Sequence, residues 1–444
     1  MGDGMAQPQV ITRSQMLSVL VAGIATVMIF SDQNLMAPNL TMIATDFGLD
    51  ASGRDWLLGG MLSTLFFLVG APASIVAGVL ADTRRRVPLL SAFMLVGAIP
   101  CVLTMFVQNY YQLLATRMFT GMAIGGVIPI IFSYLGDIFP NNLRNYVSGG
   151  FGFVSGAGQA LGQFLAGATG ESLGWRFCFP AIGIPSILVA LGALLVCEEP
   201  KRGAADGQQK FGTGFSWDSV VNILRIRSNV LIFLQAGFGC VPWGIITAYL
   251  NDYLAQEGGL EVLNATYVIM LFSIGAALGG VFGSVTGQYL QNKNRALLGI
   301  FMGATTILSI PPILGLVLIP DGKKYLAIFF VLAIVGGFLA SPTGANVPAI
   351  VINSNTPETR GSALALFNMC NDVGKGLGPL IGAALIGAFG RRIALTIAIT
   401  SWFPCGVLCL LLAITYPGDE DNMKERIKTT PDEENAELLG VVEE

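Results

Sequence analysis

Histidine is absent from this chain of 444 residues, and only 12% of the residues are charged. An ordinary soluble domain has about 25% charged residues, so the composition excludes that class. Without histidine the usual general base is missing, and no arrangement of nucleophile, base and acid is visible in the sequence. Seven cysteines are scattered without a C-x-x-C pair. We therefore expect no enzymatic activity, no cofactor and no metal site.

Two further classes of protein find no support in the sequence. Gly374-Lys375-Gly376 lacks the first glycine and the Ser or Thr of a phosphate-binding loop, so ATP-driven transport is not indicated. The net charge of −4 arises largely after Tyr416, where ten carboxylates face three bases. No basic surface for a nucleic acid is present, and we expect no nucleic-acid partner.

Hydrophobic sequence is what the chain has in abundance, at 53% of its residues. A membrane-spanning helix needs about 20 apolar residues, and we count twelve such runs. They are residues 15–38, 56–80, 87–108, 111–136, 147–169, 176–197, 229–251, 266–289, 296–319, 325–351, 362–386 and 393–416. The runs are too long for strands and do not alternate. They predict an all-α protein in a lipid bilayer, with twelve transmembrane helices.

Residues 198–228 interrupt the apolar pattern with charged residues, glycine and glutamine, and six runs lie on each side. An even number of runs per half gives both halves the same orientation, as parallel repeats require. We predict two six-helix bundles related by pseudo-two-fold symmetry. The predicted segments are a cytosolic N-terminus at 1–14, bundles at 15–197 and 229–416, a cytosolic linker at 198–228 and a disordered acidic cytosolic tail at 417–444.

Lysine and arginine set the predicted orientation. With a cytosolic N-terminus, sixteen of them lie on the inner side and six on the outer side, in agreement with the positive-inside rule. Arg54 and Arg391 enter this count as outer-side charges. We expect both termini in the cytosol and a monomer in the plasma membrane or an endolysosomal membrane.

Four charged residues lie deep inside the apolar runs: Asp32, Arg117, Asp372 and Lys375. An unpaired charge at the centre of a bilayer costs roughly 2.5–3.5 kcal/mol on insertion scales. Such residues therefore face a wet cavity or one another, and they mark the path of an ion or a solute. This pattern indicates a secondary transporter.

Asp32 and Arg117 each lie six residues from the outer end of their run, which is about 9 Å at 1.5 Å per residue. At the same depth, they are able to form an ion pair. Our hypothesis is that Asp32 binds a coupling proton, while Arg117 holds it ionised or attracts an anionic substrate. The alternative is a static structural pair.

Asp372 and Lys375 are three residues apart on one helical face, near the middle of the eleventh run. We interpret Lys375 as a contact for a substrate anion and Asp372 as its partner or a second proton site. The alternative is a pair that neutralises itself. Neutral side chains at similar depth complete the predicted binding cavity or bond between helices: Gln159, Gln163, Gln235, Asn368 and Asn371.

Short motifs connect the chain to a known family. The loop after the second run reads Gly78-Val-Leu-Ala-Asp82-Thr83-Arg84-Arg85-Arg86. It resembles the signature G-x-x-x-D-R-x-G-R-[RK] of the major facilitator superfamily, with matches at the glycine, the acid and the last arginine. Three further segments are similar to that family: Arg117-x-x-x-Gly121-x-x-x-Gly125, Asp137-Ile-Phe-Pro140 through Arg144, and Gly174-Trp175-Arg176.

The resemblance implies the fold of that superfamily and transport of a small organic solute or organic anion by alternating access. It also implies a cytosolic gate formed by Gly78, Asp82, Arg86, Asp137 and Arg144. Plain positive-inside anchoring is an alternative role for the arginines.

Ser31-Asp32-Gln33-Asn34 together with Arg117 resembles Spinster-type lipid transporters, although Ile124 stands where that group has an acid. A translocator of lysolipid-like substrates therefore remains an alternative. A receptor that has the transporter fold, and that binds its ligand without moving it, is another.

Overall fold

Helices follow the apolar runs closely. A computed structural model of the chain describes residues 13–139, 141–199, 217–355 and 359–429. The long helices of the first half are α1 (Arg13–Gln33), α2 (Ser63–Thr83), α3 (Arg86–Leu103), α4 (Tyr110–Ile138), α5 (Asn141–Leu173) and α6 (Cys178–Val196). Those of the second half are α7 (Arg227–Gln256), α8 (Val262–Lys293), α9 (Arg295–Leu318), α10 (Leu326–Ala340), α11 (Arg360–Phe389) and α12 (Trp402–Thr429).

Four of these helices have additional segments at one end. After α1 the chain turns through a 3₁₀ segment, Ala37–Asn39, and a short helix, Leu40–Asp46. A three-residue helical turn, Ala51–Gly53, and a π-helical segment, Arg54–Leu62, lead into α2. The other extensions and the linker helix are Pro342–Ser354 after α10, Arg391–Thr400 before α12, and Trp217–Leu224.

Eleven segments of the described chain are long and apolar enough to cross a membrane. The helix α5 is not among them, although its 33 residues exceed the length required. Its glycine, glutamine and asparagine residues lower its hydropathy. Large apolar side chains on the outside of the bundle, such as Leu68, Leu195 and Ile414, are 63%, 88% and 77% exposed. A soluble protein does not present such a surface, and the chain is an integral multi-pass membrane protein.

Glycines bring helix backbones together in a similar way in both halves. A Cβ on Gly125 of α4 would overlap the backbone of Gly70 in α2, and one on Gly279 of α8 would overlap the backbone of Phe338 in α10. Glycines of α5 pack on α1, while Gly378 of α11 packs on the backbone of Val241 in α7. Small residues permit this close approach of helices in membranes, so α2–α4 corresponds to α8–α10 and α1–α5 to α7–α11.

Two predicted irregular segments carry more structure than their composition suggested. Residues 417–429, expected to be disordered, continue α12 as a helix. The reason is a set of polar contacts: Asp419 accepts hydrogen bonds from the backbone N–H and the hydroxyl of Ser228, and Asp421 pairs with Arg295 at 2.5 Å. Residues 430–444 lie outside the described chain.

The end of the predicted linker is also ordered, because α7 begins at Arg227 rather than 229. At the beginning of the predicted linker, Glu199 accepts hydrogen bonds from the backbone N–H groups of Arg86 and Val87 at 2.7 and 3.0 Å. A carboxylate at a helix N-terminus is favourable, so Glu199 caps α3 in the way that Asp419 caps α7. We call the side of the molecule that carries these residues the linker face, and the opposite side the Arg391 face.

Candidate functional site

Asp32 lies where α1 is interrupted. The helix ends at Gln33, and the N–H groups of Asn34 and Leu35 bond to the carbonyls of Ser31 and Asp32 in a turn. Pro38 follows within the 3₁₀ segment and has no N–H to continue a helix. Helices broken in this way frame the ion and substrate sites of many transporters. The sequence therefore places a carboxylate at a point where the backbone is already distorted.

Arg117 of α4 pairs directly with this carboxylate. Its Nη1 donates to Asp32 Oδ1 at 2.6 Å, its Nη2 donates to Thr104 Oγ1 at 3.1 Å, and its guanidinium lies 4.8 Å from the centre of the Phe179 ring. Asp32 and Arg117 are only 6% and 2% exposed. Removing one member of such a buried pair leaves an uncompensated charge, typically at a cost of about 3–5 kcal/mol.

A small cavity adjoins the pair inside the first six-helix bundle. It has a volume of about 10 Å³, and Asp32, Met94, Thr120 and Ser186 contribute to its lining. This is about the smallest volume that holds one water molecule. The cavity has space beside Asp32 for a proton donor but not for an organic substrate. In this conformation the cavity beside the pair is too small for a bulky ligand.

The second set of deep charges, Asp372 and Lys375, differs from the first. Within the described residues no ion pair joins Asp372 to Lys375; Asp372 is half-buried and Lys375 is exposed. Gly374 packs on Cys240 of α7 and Gly376 on Phe67 of α2. At 100° per residue, Lys375 lies midway between these two contacts.

The surface of α11 opposite Lys375 is apolar. Val373, Leu377 and Ile381 are 49%, 45% and 41% exposed there, as expected of a lipid-facing surface. Lys375 thus lies on the face of α11 opposite this apolar surface. Asn368, also exposed, shares its face, and Asn371 accepts a bond from Cys240 Sγ at 3.1 Å. The polar face of α11 is therefore the part of the candidate site that a solute can reach.

The three glutamines have different surroundings. Gln159 is half-buried in α5. Gln163, 2% exposed, donates to Asn34 at 3.4 Å and accepts from Asn251 of α7 at 3.2 Å, so it lies in a polar layer between the halves. Gln235 donates a long bond, of 3.4 Å, to Cys405 Sγ, and its buried Oε1 has no hydrogen-bond partner among the residues that the structure describes.

The predicted cytosolic gate is described in part. A Cβ on Gly78 would meet no heavy atom within 4 Å. Arg86 is buried, and its Nε donates to Ser133 Oγ at 2.9 Å. The side chains of Asp82, Asp137 and Arg144 lie outside the described part of the structure, so their proposed role stays a prediction.

A polar cluster on the Arg391 face was not identified from the sequence. Asp55 pairs with Arg391 at 2.5 Å, and Asp252 pairs with Arg391 at 2.7 Å. Arg54 pairs with Asp55 at 3.0 Å and lies 3.7 Å from Asp252. Thr41 Oγ1 donates to Asp252 Oδ1 at 2.5 Å. The cluster joins the two halves and closes this face.

Tyr249 of α7 adds an aromatic contact to this closure. Its hydroxyl lies 2.8 Å from the carbonyl oxygen of Asp55 and 2.9 Å from that of Pro379. Its ring lies against Gly59 of the first half and Gly382 of the second. The available signal was the position of Asp55 and Asp252 near the ends of apolar runs. Charges at the ends of apolar runs, such as Arg54 and Arg391, equally mark membrane topology, so their position alone does not identify the cluster.

Comparison with known proteins supplies the family. The family model of the Major Facilitator Superfamily matches residues 22–320 and 307–439. A multidrug resistance protein of Dickeya zeae is 25% identical over 81% of this chain and 85% of the relative. The protein spinster of Drosophila melanogaster is 24% identical over 86% of this chain, which covers 63% of that relative's length.

Two solved structures show the same fold. A bacterial homologue of the human lysosomal transporter Spinster, in an inward-facing and unoccupied conformation, superposes with a TM-score of 0.79 at 18% identity, covering 92% of this chain and 98% of that one. A D-xylose–proton symporter gives a TM-score of 0.66 at 14% identity, over 90% and 97% of the two chains. Because the family model spans most of the sequence, this chain belongs to the Major Facilitator Superfamily and is a multi-pass membrane transporter rather than an enzyme.

Proposed function

We propose that this protein is a proton-coupled secondary transporter that moves a small organic solute or organic anion by alternating access. Asp32 is the proton-binding carboxylate. The observation that carries the proposal is the buried Asp32–Arg117 pair, 2.6 Å long, at the interruption of α1. Charged residues at such depth are expensive and mark functional paths.

The pair supplies a physical link between a proton and a conformation. Arg117 supplies the positive charge that balances an ionised Asp32. Protonation removes the attraction between the two side chains and leaves Arg117 without its counter-charge. A conformation that offers Arg117 another anion, or water, is then favoured, because an equilibrium shifts toward the state that binds its ligands better.

The pairing of Asp32 with Arg117 favours symport of an anion with a proton. Arg117 is covered by Phe179 and held by Thr104 and Asp32, so a substrate anion gains access only after Asp32 releases it. A protonated Asp32 and an anion on Arg117 would then be bound together. Discharging either ligand alone would leave a buried charge unpaired, which couples the two flows.

The polar face of α11 completes the proposed substrate path. Lys375 is the contact for an acidic group of the substrate, Asn368 and Asn371 supply hydrogen bonds beside it, and Asp372 is a candidate second proton site. The exposure of Lys375 on the face of α11 opposite its apolar surface supports this role. A D-xylose–proton symporter among the solved structures of the same fold is consistent with proton coupling.

The proposal is tested with purified protein in liposomes, using a ligand identified by its stabilising shift in thermal unfolding. Asp32→Asn is expected to abolish uptake driven by a pH gradient while retaining exchange of labelled for unlabelled ligand. Glu261→Gln is the control, since it removes a carboxylate that is 67% exposed and has no part in the proposed proton path. Gradient-driven uptake by Asp32→Asn at the wild-type rate would exclude the proton role.

The same preparation separates a transporter from a receptor with a transporter fold. A transporter exchanges internal and external ligand in counterflow, whereas a receptor binds ligand without exchange. Saturable binding without counterflow in the wild-type protein would contradict the proposal that the protein moves its ligand across the membrane.

A second candidate substrate class is a lipid-like amphiphile, and one observation favours it. A cavity of about 220 Å³ lies between α1, α4 and α5, lined by Thr26 and by apolar side chains such as Val19, Ile131 and Phe151. Gly23 and Gly150 also line it, and a Cβ on either meets no heavy atom within 4 Å. The cavity therefore has free space for a hydrocarbon chain.

Filling that space tests the candidate directly. Gly150→Leu is expected to block transport of long-chain amphiphiles while leaving small polar anions unaffected, with Gly150→Ala as the smaller control. Equal effects on both substrate types would remove the cavity from consideration as a chain-binding site.

A further inference from the structure

Four buried or nearly buried charges on the Arg391 face form a cluster that we call the ion quartet: Arg54, Asp55, Asp252 and Arg391. Their side chains are 13%, 10%, 2% and 4% exposed. Arg54 and Asp55 belong to the first half, and Asp252 and Arg391 to the second. Glu257, also of the second half, lies 3.9 Å from Arg391 at the exposed edge and is half-exposed.

The pairs within the quartet are of two kinds. Two of them cross between the halves, Asp55–Arg391 at 2.5 Å and Arg54–Asp252 at 3.7 Å. The other two stay inside one half, Arg54–Asp55 at 3.0 Å and Asp252–Arg391 at 2.7 Å. Each half thus contributes one acid and one base, already in contact with each other.

Separation of the halves has an unusual electrostatic consequence here. When a buried ion pair is divided between two bodies, each body normally keeps an uncompensated charge, which is costly. In the quartet each acid retains the base of its own half when the cross-half pairs break. Opening this face therefore breaks only the contacts between the halves, and each member of the quartet keeps the partner in its own half.

We propose that the ion quartet is a gate, formed by ion pairs between the halves, that sets the equilibrium between the closed and open states of the Arg391 face. Arg391 is its central positioning residue, because it lies within 2.7 Å of both carboxylates, whereas Arg54 is 3.7 Å from Asp252. The proposal rests on the proposed alternating-access function. The formal charges of its two acids and two bases sum to zero, so the quartet changes how often the face opens through the pairing of its own charges.

Paired charge swaps test the gate while keeping each half neutral. The double variant Asp252→Arg/Arg391→Asp preserves the pair inside the second half but sets like charges against Arg54 and Asp55. Arg54→Asp/Asp55→Arg does the same from the first half. The quadruple variant restores opposite charges across the interface.

The readout is the reaction of a cysteine at Ala383 with a membrane-impermeant thiol reagent added on the Arg391 face. Ala383 is 4% exposed and faces Gly60 across the interface. Because juxtaposed like charges are strongly unfavourable, each double variant is expected to raise the reaction rate by about tenfold or more. The quadruple variant is expected to return it to near the parent rate. The parent without the Ala383→Cys change corrects for the seven native cysteines.

Unchanged labelling in folded double variants, or no recovery in the folded quadruple variant, would overturn the gate. If the swaps prevent folding, Asp252→Asn/Arg391→Gln removes the cross-half attraction without adding repulsion. It too must raise the rate if the proposal is correct, and an unchanged rate overturns it. Labelling requires neither substrate nor a pH gradient, so a failure of the gate is distinguished from a failure of proton coupling through Asp32.

Discussion

Gly59 is the position where a single methyl group should open the Arg391 face. The closed state places the ring of Tyr249 directly against it: a Cβ there would lie 2.6 Å from Cζ and 2.7 Å from the hydroxyl oxygen of Tyr249. On its other side the ring lies against Gly382, where a Cβ would be 2.9 Å from Cε2. The ring is therefore confined between the two halves, and Gly59→Ala forces them apart.

The size of the effect follows from the overlap. Carbon atoms in contact are normally about 3.5–4.0 Å apart, so the ring must retreat by about 1 Å. Such overpacking typically costs about 1–3 kcal/mol. The methyl group penalises the closed state alone, and a bias of that size changes the ratio of closed to open states by roughly 5–150-fold.

The assay is labelling of Ala383→Cys from the Arg391 face, compared between Gly59→Ala and a matched control, Gly387→Ala. A Cβ on Gly387 meets no heavy atom within 4 Å, so the control is expected to label at the parent rate. Adding Tyr249→Leu to Gly59→Ala should relieve the overlap and lower the rate again. Equal labelling rates in folded Gly59→Ala and Gly387→Ala would refute the prediction that a methyl group at position 59 forces the halves apart.

Three further outcomes are expected. Lys375→Ala weakens binding of an acidic ligand by about 1–3 kcal/mol, the range for charged contacts, whereas unchanged affinity in a direct binding titration removes it from the site. Gly125→Ala lowers the thermal midpoint because its Cβ would overlap a neighbouring backbone, while Gly192→Ala, with nothing within 4 Å, does not. Asp419→Ala destabilises the second half by about 1 kcal/mol through loss of the cap on α7; an unchanged denaturation midpoint would contradict that role.

The sequence predicts much of the fold because hydrophobic length is a local property. Each apolar run needs only its own residues to form a helix across the bilayer. The pairing of Asp32 with Arg117 was also within reach, since equal depth follows from counting residues along two antiparallel helices. In both cases the relevant distance runs along one helix axis.

The closure of the Arg391 face could not be predicted from the sequence, because it depends on contacts between segments that are far apart in the chain. Asp55, Asp252 and Arg391 come from three distant segments, and nothing local distinguishes them from solvated charges at helix ends. The pairing of Asp372 with Lys375, one of the alternatives that their spacing left open, shows the same limit, because spacing on one helix establishes a shared face but not the rotamers of the side chains. Contacts between halves depend on tertiary packing, which spacing alone does not encode.

In the proposed mechanism, Asp32 gains and loses a proton as the transporter changes conformation. Infrared difference spectroscopy of the protein in membranes, recorded on adding substrate at low pH, reports the carbonyl stretch of a protonated carboxylic acid. Such a band is expected in the wild-type protein and in the control Glu261→Gln, and it is expected to be lost in Asp32→Asn. A band that persists unchanged in Asp32→Asn, or that never forms in the wild type during transport, would contradict it.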